Sequence, residues 1–292
     1  ALAQKDVSFQ NELQRSIDRG MTALKTSQQE GGWWTSPEHP AVTALVLVAY
    51  NGNPNKLKVA PEWINKAYDY ILKQVQPNGS IYVPGKGLAN YNTSLCMMAM
   101  LSSGDLRYNP TIVNARGYLL KQQWDLGTKD KLDHPLDGGI GYGNRYPHSD
   151  LNNTLTALEA IYYSRHLVKD APEVKNDLNW KAAIQFIQNC QNLPSHNKQP
   201  WASNDPENKG GFIYFPGKSM AGEAKGSKSG RTALRSYGSI SYAGMLSYAY
   251  AQLDKTDARV KCVREWLAKN YTLEENPGMG AQGLFYYYFL MT

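Results

Sequence analysis

Gly138-Gly-Ile-Gly-Tyr-Gly-Asn-Arg-Tyr-Pro-His-Ser-Asp-Leu-Asn-Asn-Thr-Leu-Thr-Ala-Leu158 joins a glycine-rich aromatic loop, an acidic-amide tetrad and an apolar helix in one stretch. Gly138, Gly139, Gly141 and Gly143 lower helix propensity, and Pro147 interrupts helical continuity. A helix must therefore begin after Pro147. Ser149 and Asp150 are N-cap types, and Leu151, Leu155, Leu158 and Ile161/Tyr162 follow at helical spacing. Asp150, Asn152 and Asn153 thus belong to the first turn of a core-facing helix.

The pattern recurs along the 292 residues. Each unit has an amphipathic helix ending near Gln, a loop with Gly and an aromatic residue, and a second helix that is apolar or small nearly all round. Examples are Arg19 to Trp34 followed by 41–50, Lys66 to Tyr82 followed by 92–101, and Lys181 to Gln191 followed by Gly210 to Tyr214 and a helix to Leu253. The last unit has Val260 to Lys269, Gly283 and Leu284 to Leu290. Marker glycines at 32, 79, 139, 211 and 283 give a period of roughly 50 to 70 residues. We expect apolar helices near 38–51, 89–103, 149–166 and 232–253. All start after a glycine loop and so run parallel. If they close into a ring, their N-termini share one mouth with unpaired N–H groups and partial positive charge. That mouth is the expected binding surface: Glu38, His39, Asn90, Asn92, Asn152, Ser236 and Tyr237, beside Tyr142, Tyr146 and Tyr214, with Asp150 the one catalytic candidate.

These repeats resemble the QW repeat of squalene-hopene cyclases and their relatives. The shared pattern is Lys/Arg-Gly/Ala, an apolar pair, Gln and a Gly-x-aromatic turn. It covers nearly the whole chain and implies an all-α fold, the α/α toroid, also found in protein prenyltransferase β-subunits and complement-like thioester domains. In the cyclases an Asp-x-Asp-Asp-Thr-Ala motif opens an inner helix, and its middle Asp protonates the substrate. Here the position reads Asp150-Leu-Asn152-Asn153-Thr154. The first Asp matches, but an amide stands where the proton donor would be and has no proton to give. Asp150 lies two residues earlier, about 200° round the helix, which suits a cap better than a donor.

Composition narrows the remaining classes. Hydrophobic residues make up 42% and charged residues 19%, as in a globular protein, and mean hydropathy is −0.53. The longest apolar run, 41–50, is too short to span a bilayer. Twenty tyrosines suit a cavity that is apolar with polar tips. The net charge of +6 is scattered, with one basic loop at 218–235, so we expect no nucleic-acid partner. Cys96, Cys190 and Cys262 fall in helical patterns away from His and Asp, and His148-Ser-Asp150 is a poor ligand pair; neither a metal nor a cofactor is expected. The Gly-Cys-Gly-Glu-Gln thioester motif is absent. Ala1-Leu2-Ala3 before Gln4 reads as a signal-peptide remnant, which implies export to the periplasm or beyond. Residues 4–292 then form one toroid domain, either clipped near Thr292 or closed by the N-terminal helix.

The expected partner is a small-molecule or lipid-like ligand, elongated and apolar or isoprenoid-like. Two alternatives stand beside it: a carbohydrate-active toroid using paired carboxylates among Glu38, Asp137, Asp150 and Asp205, and an active prenyltransferase or terpenoid cyclase with a non-standard acid.

Overall fold

The computed structural model describes residues 7–143, 146–169, 177–224 and 233–292. Within them the chain is helical, and β-structure is confined to isolated bridges. Ten α-helices follow in order: α1 (Val7–Ser27), α2 (Pro40–Gly52), α3 (Glu62–Leu72), α4 (Ala89–Ser103), α5 (Asn109–Leu119), α6 (Leu151–Tyr163), α7 (Trp180–Asn189), α8 (Gly238–Tyr250), α9 (Ala258–Lys269) and α10 (Leu284–Met291). The even-numbered helices from α2 carry nearly uncharged sequences; α2, α4, α6 and α8 are buried over most of their length, while α10 buries Tyr287 and Leu290. They pack in a row, α2 on α4, α4 on α6, α6 on α8 and α8 on α10. The helices α3, α5 and α9 lie beside the row, on α2, α4 and α8, with α7 also against α8. Helix α1 has no buried residue.

One local device recurs at the turn before each of four buried helices. Gly32, Gly79, Gly138 and Gly210 have φ of +94°, +89°, +84° and +95°, and a Cβ there would fall 2.0–2.4 Å from the carbonyl oxygens of Lys66, Asn114, Ala182 and Cys262. A helix backbone thus presses on each glycine where a side chain would stand, and the left-handed φ already favours glycine. The register differs from that expected: Gly138 and Gly210, not Gly139 and Gly211, hold this position. Gly283 is different again, an N-cap at φ +70° with its nearest neighbour 3.4 Å away.

Two hydrogen-bonding patterns fix each turn. Gln28, Gln123 and Gln191 each donate from Nε2 to the carbonyl of the marker glycine, at 3.1, 2.9 and 3.0 Å, and to a carbonyl near the start of the following lateral helix: Trp63, Asn179 and Arg259 at 2.8, 3.0 and 2.9 Å. Val75 occupies the equivalent place before Gln76. Two residues after the glycine, the N–H groups of Ile81, Ile140 and Phe212 donate to the hydroxyls of Thr93, Thr154 and Ser241. Those hydroxyls donate onward to the carbonyls of Ala89, Ile140 and Tyr237. Each loop is therefore fastened to the first turn of its own buried helix.

The expected helix at 232–253 begins instead at Gly238, because 234–237 run extended: Leu234 bridges Glu223, and Tyr237 has φ −145°. Residues 1–3 of the expected signal remnant, residue 232 and positions 225–231 of the basic loop lie outside the described residues. A second correction concerns the helix N-termini. The N–H groups expected to be unpaired are largely taken by the next loop: Asn90 donates to Tyr142, Leu151 to Tyr214 and Gly238 to Pro277 carbonyls. Side chains take others, Ala41 donating to Asn92 Oδ1 and Ser239 to Asn276 Oδ1. The physical reason is that buried donors without partners are costly, so neighbouring turns supply acceptors.

Candidate functional site

Asp150 caps α6. Its backbone is extended, and its two carboxylate oxygens accept the N–H of Asn153 at 2.9 Å and the Nδ2 of the same residue at 2.7 Å. The side chain is fully buried. Burial pushes its pKa up to about 6, against the opposing pull of the Asn153 and Asn152 amides and of His148. The phenols of Tyr142, Tyr214, Tyr237 and Tyr286 all feel this carboxylate, and all are raised first by burial. Four tyrosines from two loops and the starts of α8 and α10 thus surround one carboxyl group.

Around this centre the aromatic rings form an arc. Tyr91 lies 6.0 Å from Tyr142, Tyr142 5.1 Å from Tyr146 and Tyr146 6.5 Å from His148. His148 stacks on Phe215 at 4.4 Å and meets Tyr214 edge-on at 6.4 Å. The glycine-rich loop before α6 and the loop before α8 meet here, which gathers Tyr142, Tyr146, Tyr214, Tyr237 and Asp150 as one group. Asn152 reaches the group through α10: its Oδ1 accepts the Tyr286 hydroxyl at 3.2 Å.

Of the other expected site residues, Asn90, Asn92, Ser236 and Glu38 are bonded to neighbouring segments, and His39 makes no side-chain cap bond to α2. Asn90 donates to the Gly141 carbonyl at 2.9 Å and accepts the Tyr118 hydroxyl at 2.8 Å, tying three segments together. Asn92 caps α2, the neighbouring helix, rather than its own. Its Nδ2, with His39 Nδ1 and Asn153 Oδ1, is buried without a hydrogen-bond partner. Ser236 is bonded to Asn192 and Asn208 inside its loop. Glu38 pairs with Lys86 at 2.6 Å, both half-exposed. Two further carboxylates fasten loops: Asp137 accepts the N–H groups of Leu126 and His134, and Asp205 those of Glu207 and, from the side chain, Asn208.

Sequence reasoning passed over Glu159. It is the single Asp, Glu, Lys, Arg or His in α2, α4, α6, α8 and α10 together. It is partly buried, burial raises its pKa, and its Oε1 accepts the Tyr250 hydroxyl at 2.9 Å. One signal was available: a lone acid in an otherwise uncharged helix, seven residues after Asn152 and so on the same stripe.

Neither a family model nor a curated protein matches this chain. Among the described residues no helix is long and apolar enough to cross a membrane.

Proposed function

We propose that the chain is an α/α toroid of the squalene-hopene-cyclase-like kind that holds an elongated apolar, isoprenoid-like ligand in its central space. The observation that carries this is the composition of the partly exposed stripe on the buried helices. The largely buried helices α2, α4 and α8 keep Leu45, Tyr91, Met98, Tyr242 and Met245 partly exposed, and the more open α10 adds Tyr286; such a stripe borders a space rather than the packed interior. Its surface suits an apolar body. The toroid reading is supported by the recurring glycine and glutamine contacts and by a bond across the row. Tyr286 of α10 donates to Asn152 of α6, and its phenol also feels Tyr91 of α4. A row of helices must curl for its last member to reach its second and third.

Proton-initiated cyclisation is not part of the proposal. Asn152 stands at the donor's place and accepts a hydrogen bond from Tyr286 instead of giving a proton. Asp150, although held as a weaker acid, directs its carboxylate to the α6 amides.

Native mass spectrometry of protein purified from its own host, followed by titration with farnesol and squalene, tests the function. The expected result is a lipid-like adduct, or uptake of these probes into the apo protein. A retained glycan, or no uptake of either probe, overturns the reading. Incubation with squalene should give no cyclic product; product formation that disappears in Asp150→Asn would establish Asp150 as an acid.

A further inference from the structure

Glu159 is the one charged side chain on α2, α4, α6, α8 and α10, and among the described residues it forms no ion pair. A carboxylate in apolar surroundings is costly unless compensated, and a single phenol hydrogen bond compensates it only in part. The Tyr250 hydroxyl supplies that bond at 2.9 Å. Three aromatic rings gather beside it: Tyr162, Tyr163 and Tyr250 lie 5.4–5.8 Å apart, centroid to centroid. The cluster already accepts one cation, since the Arg165 guanidinium lies 4.8 Å over Tyr162 and 4.5 Å over Trp180 at the start of α7. Along α6, Glu159 shares its stripe with Asn152, seven residues and about 10 Å earlier. The apolar stripe therefore has a neutral polar station at one level and an acidic, aromatic-flanked station at another.

We propose that Glu159, with the Tyr162, Tyr163 and Tyr250 rings, anchors the ammonium head of the elongated ligand whose apolar body lies along the stripe. This rests on the reading of the central space as a ligand site. A protonated amine satisfies both components of the station: it pairs with the carboxylate oxygen that Tyr250 leaves free, and its N–H and α-CH₂ groups meet the negative faces of the rings. An alcohol would gain one hydrogen bond without neutralising the charge. A carboxylate would add a second negative charge to an unneutralised one. The ligand class that fits is a long-chain or isoprenoid amine, and the discrimination should run amine over alcohol over acid.

Titration calorimetry of the full chain with decylammonium, decanol and decanoate tests this. Wild type should bind the amine at least about tenfold more tightly than the alcohol, and the acid most weakly. Glu159→Gln keeps an acceptor for Tyr250 and removes only the charge, so it should bind amine and alcohol alike while alcohol binding stays as in wild type. Tyr250→Phe leaves the carboxylate with one partner fewer and should keep or strengthen the preference for amine. If wild type binds decanol as tightly as decylammonium, or if the preference survives in Glu159→Gln, the anchor is overturned while the apolar site stands. If none of the three probes binds, the apolar site itself fails and the anchor with it.

Discussion

Replacing Asp150 by Asn should remove a pH dependence of stability that the wild type carries. The folded-state pKa of Asp150 is pushed up to about 6 by burial, from an ordinary value of 3.8. A carboxyl group with a raised pKa binds its proton more tightly in the folded than in the unfolded chain. Its contribution to stability is therefore fully present below about pH 4 and is lost as pH rises through about 6. The rise from 3.8 to about 6 corresponds to about 3 kcal/mol. Full burial leaves little solvent screening to reduce that figure. Asparagine is also a good N-cap and keeps an oxygen for the Asn153 N–H. Its new Nδ2 would face the Asn153 side-chain amide, which can turn to offer the Oδ1 that is now buried without a partner. Urea unfolding of both proteins from pH 4 to pH 8 measures the effect. The stability of Asp150→Asn relative to wild type should rise by about 2.4 kcal/mol between pH 4 and pH 7, since the unfolded carboxyl is already more than half ionised at pH 4, and then level off. A flat difference would show that Asp150 titrates alike in both states. A difference of opposite sign would show that the capping amides hold the charge below its ordinary pKa, and the burial argument would be refuted.

Further outcomes follow from the recurring turn. Gly138→Ala brings a Cβ 2.0 Å from the Ala182 carbonyl oxygen at φ +84°, whereas Gly87→Ala has a similar φ of +79° and nothing within 4 Å. The first should cost at least about 2 kcal/mol more than the second in chemical denaturation, and equal losses would mean that the α7 backbone does not press on the turn. Gln191→Ala removes two donor bonds at a buried position and should lower stability by about 2 kcal/mol, more than Gln123→Ala at its partly exposed place. Val75→Gln should gain about 1 kcal/mol by bonding the Gly79 carbonyl and a carbonyl near the start of α5, as the other three glutamines do; a loss in thermal or urea midpoint would show that this turn has no room for the bridge.

What the sequence by itself determined is local. Glycine and proline at 138–147 forbade a helix there, Asp150 was an N-cap type, and Leu151, Leu155, Leu158 and Ile161 had helical spacing; all four leucine and isoleucine positions are buried and Asp150 does cap α6. These features depend on backbone preference and periodicity within a few residues, and such information is carried by the residues themselves. The tertiary structure decided what depends on an approach from elsewhere in the chain. Gly138 and Gly139 are equally permissive by propensity; in the fold the α7 backbone closes on Gly138 at a left-handed φ, while the side chains of Ser149 and Phe186 close on Gly139, so neither has room for a Cβ and each for a different reason. Helix N-termini that looked open are closed by carbonyls and amides some fifty residues away, as with Asn92 and Ala41. Asn152 meets a tyrosine of α10, at a sequence separation of 134 residues. Glu159 was readable as a lone acid, but its meaning arises from Tyr250 and the rings that the packing of α6 on α8 brings beside it. Hydrogen bonds and ring contacts act over a few ångströms, so their partners are fixed by how helices pack and not by which residues are neighbours along the chain.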